Sequence, residues 1–236
     1  MWARPMWYEG PRRIRVPYQR WSKLWLLSLV AAGFVTDARA QLAPRKADEW
    51  VNTLEGPQRV ATQKIDQVLA KLNLNPGMIV ADIGAGSGLF SRPLAKAVGT
   101  SGKVYAVDIQ QDLLDYINKR SKEEKIPNIQ TVLGEFSDPR LPARDVDLAF
   151  INDVLHHIEN RAAYLKALGG YIKPSGRIAI IEMNKDDPNT PHKNQPELLV
   201  SREEIMKWMS DAGFKLVQEQ PDLFPGTKWF LVFGKK

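Results

Sequence analysis

The chain has 236 residues, 44% of them hydrophobic and 25% charged, with 16 glycines and 16 prolines. That composition excludes a wholly disordered or collagen-like chain and suits one domain of about 200 residues plus an appendage. No cysteine is present, which excludes disulfides, thiolate metal sites, iron–sulfur clusters and cysteine nucleophiles.

Charge is spread unevenly. Residues 1–40 hold seven basic residues against two acidic ones and so carry nearly all of the formal net charge of +6. The near-neutral remainder lacks the electrostatic footprint of a nucleic-acid binder. Arg12, Arg13, Arg15, Arg20 and Lys23 precede an uncharged run from Leu24 to Val35, and Ala38-Arg39-Ala40 follows. A basic region, a short apolar run and a small-residue site form a secretory-signal pattern. The run spans about 18 Å as a helix, short of a roughly 30 Å hydrocarbon core. Cleavage near Ala40 is therefore expected, with the mature chain starting at Gln41 outside the cytoplasm. The alternatives are a membrane anchor at residues 24–35 and a cytoplasmic protein. Residues 41–75 read as an N-terminal helical cap and 76–236 as the main domain.

From Ala47 to Leu72 the chain reads as helical, with Ile65, Val68, Leu69 and Leu72 at helical spacing. Asn75-Pro76-Gly77 ends it and launches a strand over Met78–Ile83. There follow a helix over Gly88–Val98, a strand over Val104–Ile109, a helix over Gln111–Glu124 and a strand over Ile129–Leu133. A strand over Asp147–Ile151, a helix over Asn160–Ile172 and a strand over Arg177–Met183 come next. Lys185 to Gln195 is polar, holds two prolines and reads as a mobile loop. Ser201 with Glu204 is a capping box opening a helix to Ala212. The strands Phe214–Gln218 and Trp229–Phe233 have no helix between them and should pair antiparallel as a hairpin-like edge. Alternating strands and helices imply an α/β fold with a mainly parallel sheet covered on both faces.

The sharpest motif is Asp82-Ile83-Gly84-Ala85-Gly86-Ser87-Gly88, where the first strand gives way to a helix. Glycines let a backbone turn tightly beside a ligand. Asp108 ends the next strand, where a carboxylate is placed to accept ribose hydroxyls. A dinucleotide fingerprint would need a glycine at position 89, which is Leu89. The whole pattern resembles class I S-adenosylmethionine-dependent methyltransferases. Val104-Tyr105-Ala106-Val107-Asp108 is similar to their second strand, Leu133-Gly134-Glu135 to their acidic third-strand end, and Asp145 to Phe150 to their fourth strand. Leu168 to Arg177 is similar to their helix-to-fifth-strand turn, with Ser175 replacing a usual glycine. The resemblance runs in order from about Ala47 to the C-terminus.

It implies a Rossmann-like, doubly wound, seven-stranded sheet, mostly parallel with an antiparallel C-terminal strand. It also implies S-adenosylmethionine as cofactor and transfer of its methyl group to a small molecule. The donor's amino-acid tail is expected over Gly84, Ala85, Gly86 and Gly88, with Asp82 ordering that turn or reaching the amino group. Asp108 is expected on the ribose, Ile109 on the adenine face, and Glu135 with Phe136 at the adenine edge. Asn152 at the fourth strand's end joins the cofactor set. Methyl transfer needs a base only for a protonated acceptor, and Asp153, His156 and His157 stand where strand ends open into the crevice. Trp50 is placed either to stack on substrate or to anchor its helix. Asp153, Glu182 and Asn184 could offer oxygens to Mg²⁺, but their spacing departs from the catechol-type pattern, and no metal is expected. A silent binder of the donor, and behind it a nicotinamide oxidoreductase, are the rival readings. Neither the acceptor nor the oligomeric state follows from the sequence.

Overall fold

The computed structural model describes residues 47–236, so the signal pattern lies outside the described residues. The expected helix from Ala47 to Leu72 is three short ones, α1 (Ala47–Leu54), α2 (Pro57–Gln63) and α3 (Ile65–Lys71). Pro57 starts α2, where its missing N–H costs nothing. Lys64, in the left-handed region at φ 48°, breaks α2 from α3. These breaks fold the segment back so that α1 meets α5 and α3 meets α4.

The body then runs β1 (Ile79–Ile83), α4 (Ser91–Val98), β2 (Lys103–Asp108), α5 (Gln111–Glu123), β3 (Ile129–Leu133) and β4 (Val146–Asn152). It continues as α6 (Arg161–Gly169), β5 (Ile172–Met183), α7 (Arg202–Asp211), β6 (Phe214–Glu219) and β7 (Lys228–Lys235). The seven strands lie in the order β3-β2-β1-β4-β5-β7-β6. β1 to β5 all run parallel to one another. β7 inserts between β5 and β6 and runs antiparallel to both. The last two strands do pair antiparallel, but only β6 forms the edge. The continuous apolar run Phe230 to Phe233 explains this: all four residues are buried, as an interior strand requires.

β5 begins five residues earlier than expected. Ile172 already pairs with Val146, and an irregularity before Leu148 and Arg177 absorbs Pro174-Ser175-Gly176. β4 is the centre of the core, with Leu148, Ala149, Phe150 and Ile151 fully buried. Each such large side chain contributes about 1.5–3 kcal/mol relative to exposure. One face packs Leu165 and Leu168 of α6 and Ile205 and Met209 of α7. The other packs Val68 of α3 and Leu94, Ala95 and Val98 of α4.

The capping box forms: Glu204 N–H donates to Ser201 Oγ at 3.1 Å, and Ser201 N–H to Glu204 Oε2 at 2.8 Å. The polar stretch before it is a string of turns. Asp187, Thr190, Lys193 and Gln195 N–H donate to the carbonyls of Asn184, Asp187, Thr190 and His192. Strand order reverses between β1 and β4, and a crevice opens at their carboxyl ends, the usual ligand position in such sheets.

Candidate functional site

A cavity of about 620 Å³ occupies that crevice, within the roughly 300–1,000 Å³ typical of small-molecule sites. Its floor is the turn from β1 to α4. Gly84 sits at φ +69°, and a Cβ there would lie 2.3 Å from Val154 Cγ2. Only glycine lets the chain pass under Val154. The turn is braced from within: Ala85 N–H donates to Val107 O, Gly86 N–H to Asp108 Oδ2 and Gly88 N–H to Ala85 O. Ala85 and Gly86 line the cavity, but Gly88 does not. A Cβ on Gly88 would meet Ile117 Cγ1 at 2.9 Å, so this glycine serves the packing of the turn on α5.

Asp108 is buried at the tip of β2 and accepts Gly86 N–H at 2.9 Å and Gln110 N–H at 3.0 Å. Two further lone-pair sites remain on a carboxylate so engaged. Burial pushes its titration up against the pull of these amides. Asp82, also buried, accepts the Ser91 hydroxyl at 2.5 Å. Burial raises its titration to about 7, against the Ser91 hydrogen bond and with help from Asp108. Ile109, Glu135 and Phe136 line the far end. Glu135 is exposed and ion-paired with Arg140, so any ligand there competes with a surface pair worth little.

Asn152 and Asp153 close the tip of β4. Gln63 at the end of α2 holds both: its Nε2 donates to Asp153 Oδ2 and its Oε1 accepts from Asn152 Nδ2, each at 3.0 Å. Asp153 also accepts Lys228 Nζ at 2.7 Å, with Arg59 at 3.7 Å. Burial would raise this carboxyl, but Lys228, Gln63 and Arg59 hold it below the usual carboxylate range. A carboxylate so stabilised is a poor proton acceptor. Asp153 is therefore a tie between the cap, β4 and β7, in place of the base the sequence suggested. Arg92 makes a second tie, donating to Ser87 O at 2.8 Å and pairing with Glu55 at 2.9 Å and Glu124 at 3.2 Å.

The histidines line the same cavity as the glycine turn. His156 is buried in a single 3₁₀ turn after β4. Its Nδ1 meets Glu182 Oε1 at 2.7 Å, and Glu182 is fully buried. Glu182 is fixed further by the N–H groups of His156 and Met183. His157 is half-buried, with Nδ1 inaccessible and unpartnered. Burial, then His156 and His192, hold its titration down to about 3. His192 comes from the turn string and lies 5.2 Å from the His156 ring and 6.2 Å from that of His157. Its approach, like the roles of Gln63, Arg59, Lys228 and Glu182, escaped the sequence reading. Each joins partners far apart in the chain. Of the three residues considered for Mg²⁺, Glu182 is engaged by His156, Asp153 by Lys228 through Oδ2 only, and Asn184 by local backbone. Among the described residues no group of three or more metal-ligating side chains is placed to hold an ion.

Comparisons with known proteins identify a family. Residues 74–219 match the family model described as a methyltransferase domain. The chain is 28% identical over 146 residues to a demethylmenaquinone methyltransferase of Staphylococcus saprophyticus, covering 62% of this chain and 60% of that protein. It is 28% identical over 117 residues to a ubiquinone/menaquinone biosynthesis C-methyltransferase of Burkholderia vietnamiensis, covering 50% and 48%. The chain thus spans about half the length of such curated relatives. A solved SAM-dependent methyltransferase from Aquifex aeolicus superposes with TM-score 0.70 at 26% identity, covering 80% of this chain and 98% of that one.

Proposed function

The chain belongs to the methyltransferase-domain family, and on that premise we propose that it transfers a methyl group from S-adenosylmethionine to a small molecule. One observation carries the reading. One cavity is lined both by the glycine turn with ribose-ready Asp108 and by the three histidines. The residues fit the donor. Asn152 Oδ1, Asp153 Oδ1 and Ser87 Oγ are buried without partners, and all three residues line the cavity. Those oxygens suit a ligand bearing ammonium and sulfonium charge. Asp108 has lone pairs left for a diol.

When bound, S-adenosylmethionine supplies a methyl group on a sulfonium, whose sulfur leaves as a neutral thioether. The chain's own residues then have two tasks. Gln63, Asn152 and the glycine turn fix the geometry of an in-line approach, and such positioning supplies much of the rate. Nδ1 of His156 faces Glu182 Oε1; with a proton held there, the Nε2 lone pair is left to accept one from the acceptor. Labelled-donor screening against small molecules tests the reading. Transfer to any of them supports it, and donor binding with no turnover at all would favour the silent binder. Export of the mature domain from Gln41 is part of the same proposal, supported by the pattern of basic region, apolar run and Ala38-Arg39-Ala40.

A further inference from the structure

Two side-chain amides, Gln63 and Asn152, meet at the tip of β4. Each has an oxygen end and a nitrogen end that a half-turn exchanges, so the partners decide which end faces which way. The sequence of partners starts from a charge. Asp153 Oδ2 accepts Lys228 Nζ at 2.7 Å, and Arg59 Nη2 lies 3.7 Å away. Burial opposes ionisation of this carboxyl, but Lys228, Gln63 and Arg59 hold it below the usual carboxylate range. Asp153 is therefore ionised, and an ionised carboxylate only accepts. Gln63, 2% exposed, must turn its Nε2 to Asp153, as it does at 3.0 Å. Its Oε1 is left facing Asn152, which has to offer Nδ2, again at 3.0 Å. Asn152 Oδ1 is the end left over. It is buried without a partner, on a residue that lines the cavity. Asp153 Oδ1 is left over in the same way. Asp153 stands at φ 54°, a left-handed conformation that persists only where the surroundings hold it.

Resting on the methyltransferase reading, we propose that Gln63 is a positioning residue: it relays the charge of Asp153 into the polarity of Asn152, so that the site offers an oxygen to a positive centre of the donor. With the relay reversed, Asn152 would turn its N–H donors to the cavity, and a cation would meet the positive end of the amide dipole. Nothing in Asn152 itself decides between the two. The decision comes from α2 of the cap, which presents Arg59 and Gln63 four positions apart on one helix face. A buried acceptor without a partner is destabilising, and a cationic ligand relieves it. S-adenosylmethionine carries two positive centres, the sulfonium and the α-ammonium. Methyl transfer removes the first and leaves the second. A cation against a fixed oxygen is the chemistry common to both, and ligands that carry one centre or neither tell them apart.

Calorimetry on the full chain with three ligands tests this. S-adenosylmethionine has both centres, S-adenosylhomocysteine has the ammonium alone, and 5′-methylthioadenosine, which lacks the amino-acid tail, has neither. Gln63→Met keeps the length of the side chain and removes both ends of the amide. One affinity ratio along this series should shrink about tenfold, the order of one contact to a charged group. It is the ratio of the first two ligands if the oxygen meets the sulfonium, and of the last two if it meets the ammonium. Gln63→Glu should restore that ratio, because its carboxyl oxygen accepts from Asn152 with or without a proton on the group. Asn152→Ala should shrink the same ratio, and adding Gln63→Met to it should shrink it no further. A cap that had merely lost its seat would weaken all three ligands alike and move neither ratio. Both ratios unchanged in Gln63→Met and in Asn152→Ala, or a ratio that Gln63→Glu fails to restore, would overturn the proposal. Failure of the wild-type chain to bind any of the three would instead overturn the methyltransferase reading beneath it.

Discussion

Donor binding should depend on pH through Asp82. This carboxyl is buried, and its titration lies near 7 instead of near 4 because burial penalises its charge and Asp108 adds to the penalty. Such a group keeps its proton in the folded chain over an interval where the unfolded chain has lost it. Folding stability should therefore fall as pH rises from about 4 to about 7, by as much as about 4 kcal/mol for the whole interval. A ligand with an ammonium group reverses the balance, since it favours ionised Asp82. If only ionised Asp82 binds well, the competent fraction is about one tenth at pH 6 and about nine tenths at pH 8, so affinity should rise about tenfold, or about 1.4 kcal/mol. Calorimetry with S-adenosylhomocysteine at both pH values, in buffers of different ionisation enthalpy, measures the affinity and the proton released. In Asp82→Asn the pH dependence should vanish, and the Ser91 hydroxyl keeps an acceptor. A wild-type affinity equal at pH 6 and 8, or a dependence that survives in Asp82→Asn, would refute the reasoning.

His156→Ala should lower turnover about 10²-fold or more with donor affinity unchanged, as steady-state kinetics and calorimetry on one preparation would show; near-full turnover would mean that positioning alone suffices. Arg92→Met removes the tie between Ser87, Glu55 and Glu124; thermal melting should fall by about 5–10 °C, given a cost of about 2–3 kcal/mol for partly exposed carboxylates left unpaired. N-terminal sequencing from the native host should find Gln41, and a start before Leu24 in a soluble cytosolic fraction would refute export.

The sheet was legible because its strands are local apolar runs separated by turn residues. Ile129–Leu133 was placed to the residue, and the capping box at Ser201 formed as its spacing implied. β7's place inside the sheet was not legible, since strand order depends on which faces are buried after folding. The cap was misread as one helix because the left-handed turn at Lys64 is imposed by tertiary contacts, Gln63 reaching Asn152 and Lys64 Nζ reaching Leu223 O at 2.6 Å. The glycine turn and Asp108 could be found because tight turns constrain residue type at fixed spacing. Glu182 was read only as a possible Mg²⁺ oxygen, and its pairing with His156, 26 positions away, was hidden because it forms only on folding. His192 was hidden for the same reason, in a polar stretch whose composition says loop and nothing of where the loop returns.

Isothermal calorimetry of the chain with S-adenosylhomocysteine and, separately, with NAD tests the central assignment most directly, run on the wild type and on Asp108→Ala. The account predicts a tight complex with S-adenosylhomocysteine and none with NAD. Asp108→Ala should weaken the former by about 1.5–3 kcal/mol, the worth of hydrogen bonds to a charged group, which is roughly ten- to a hundredfold. Binding of NAD, or an affinity for S-adenosylhomocysteine untouched by the loss of Asp108, would contradict it.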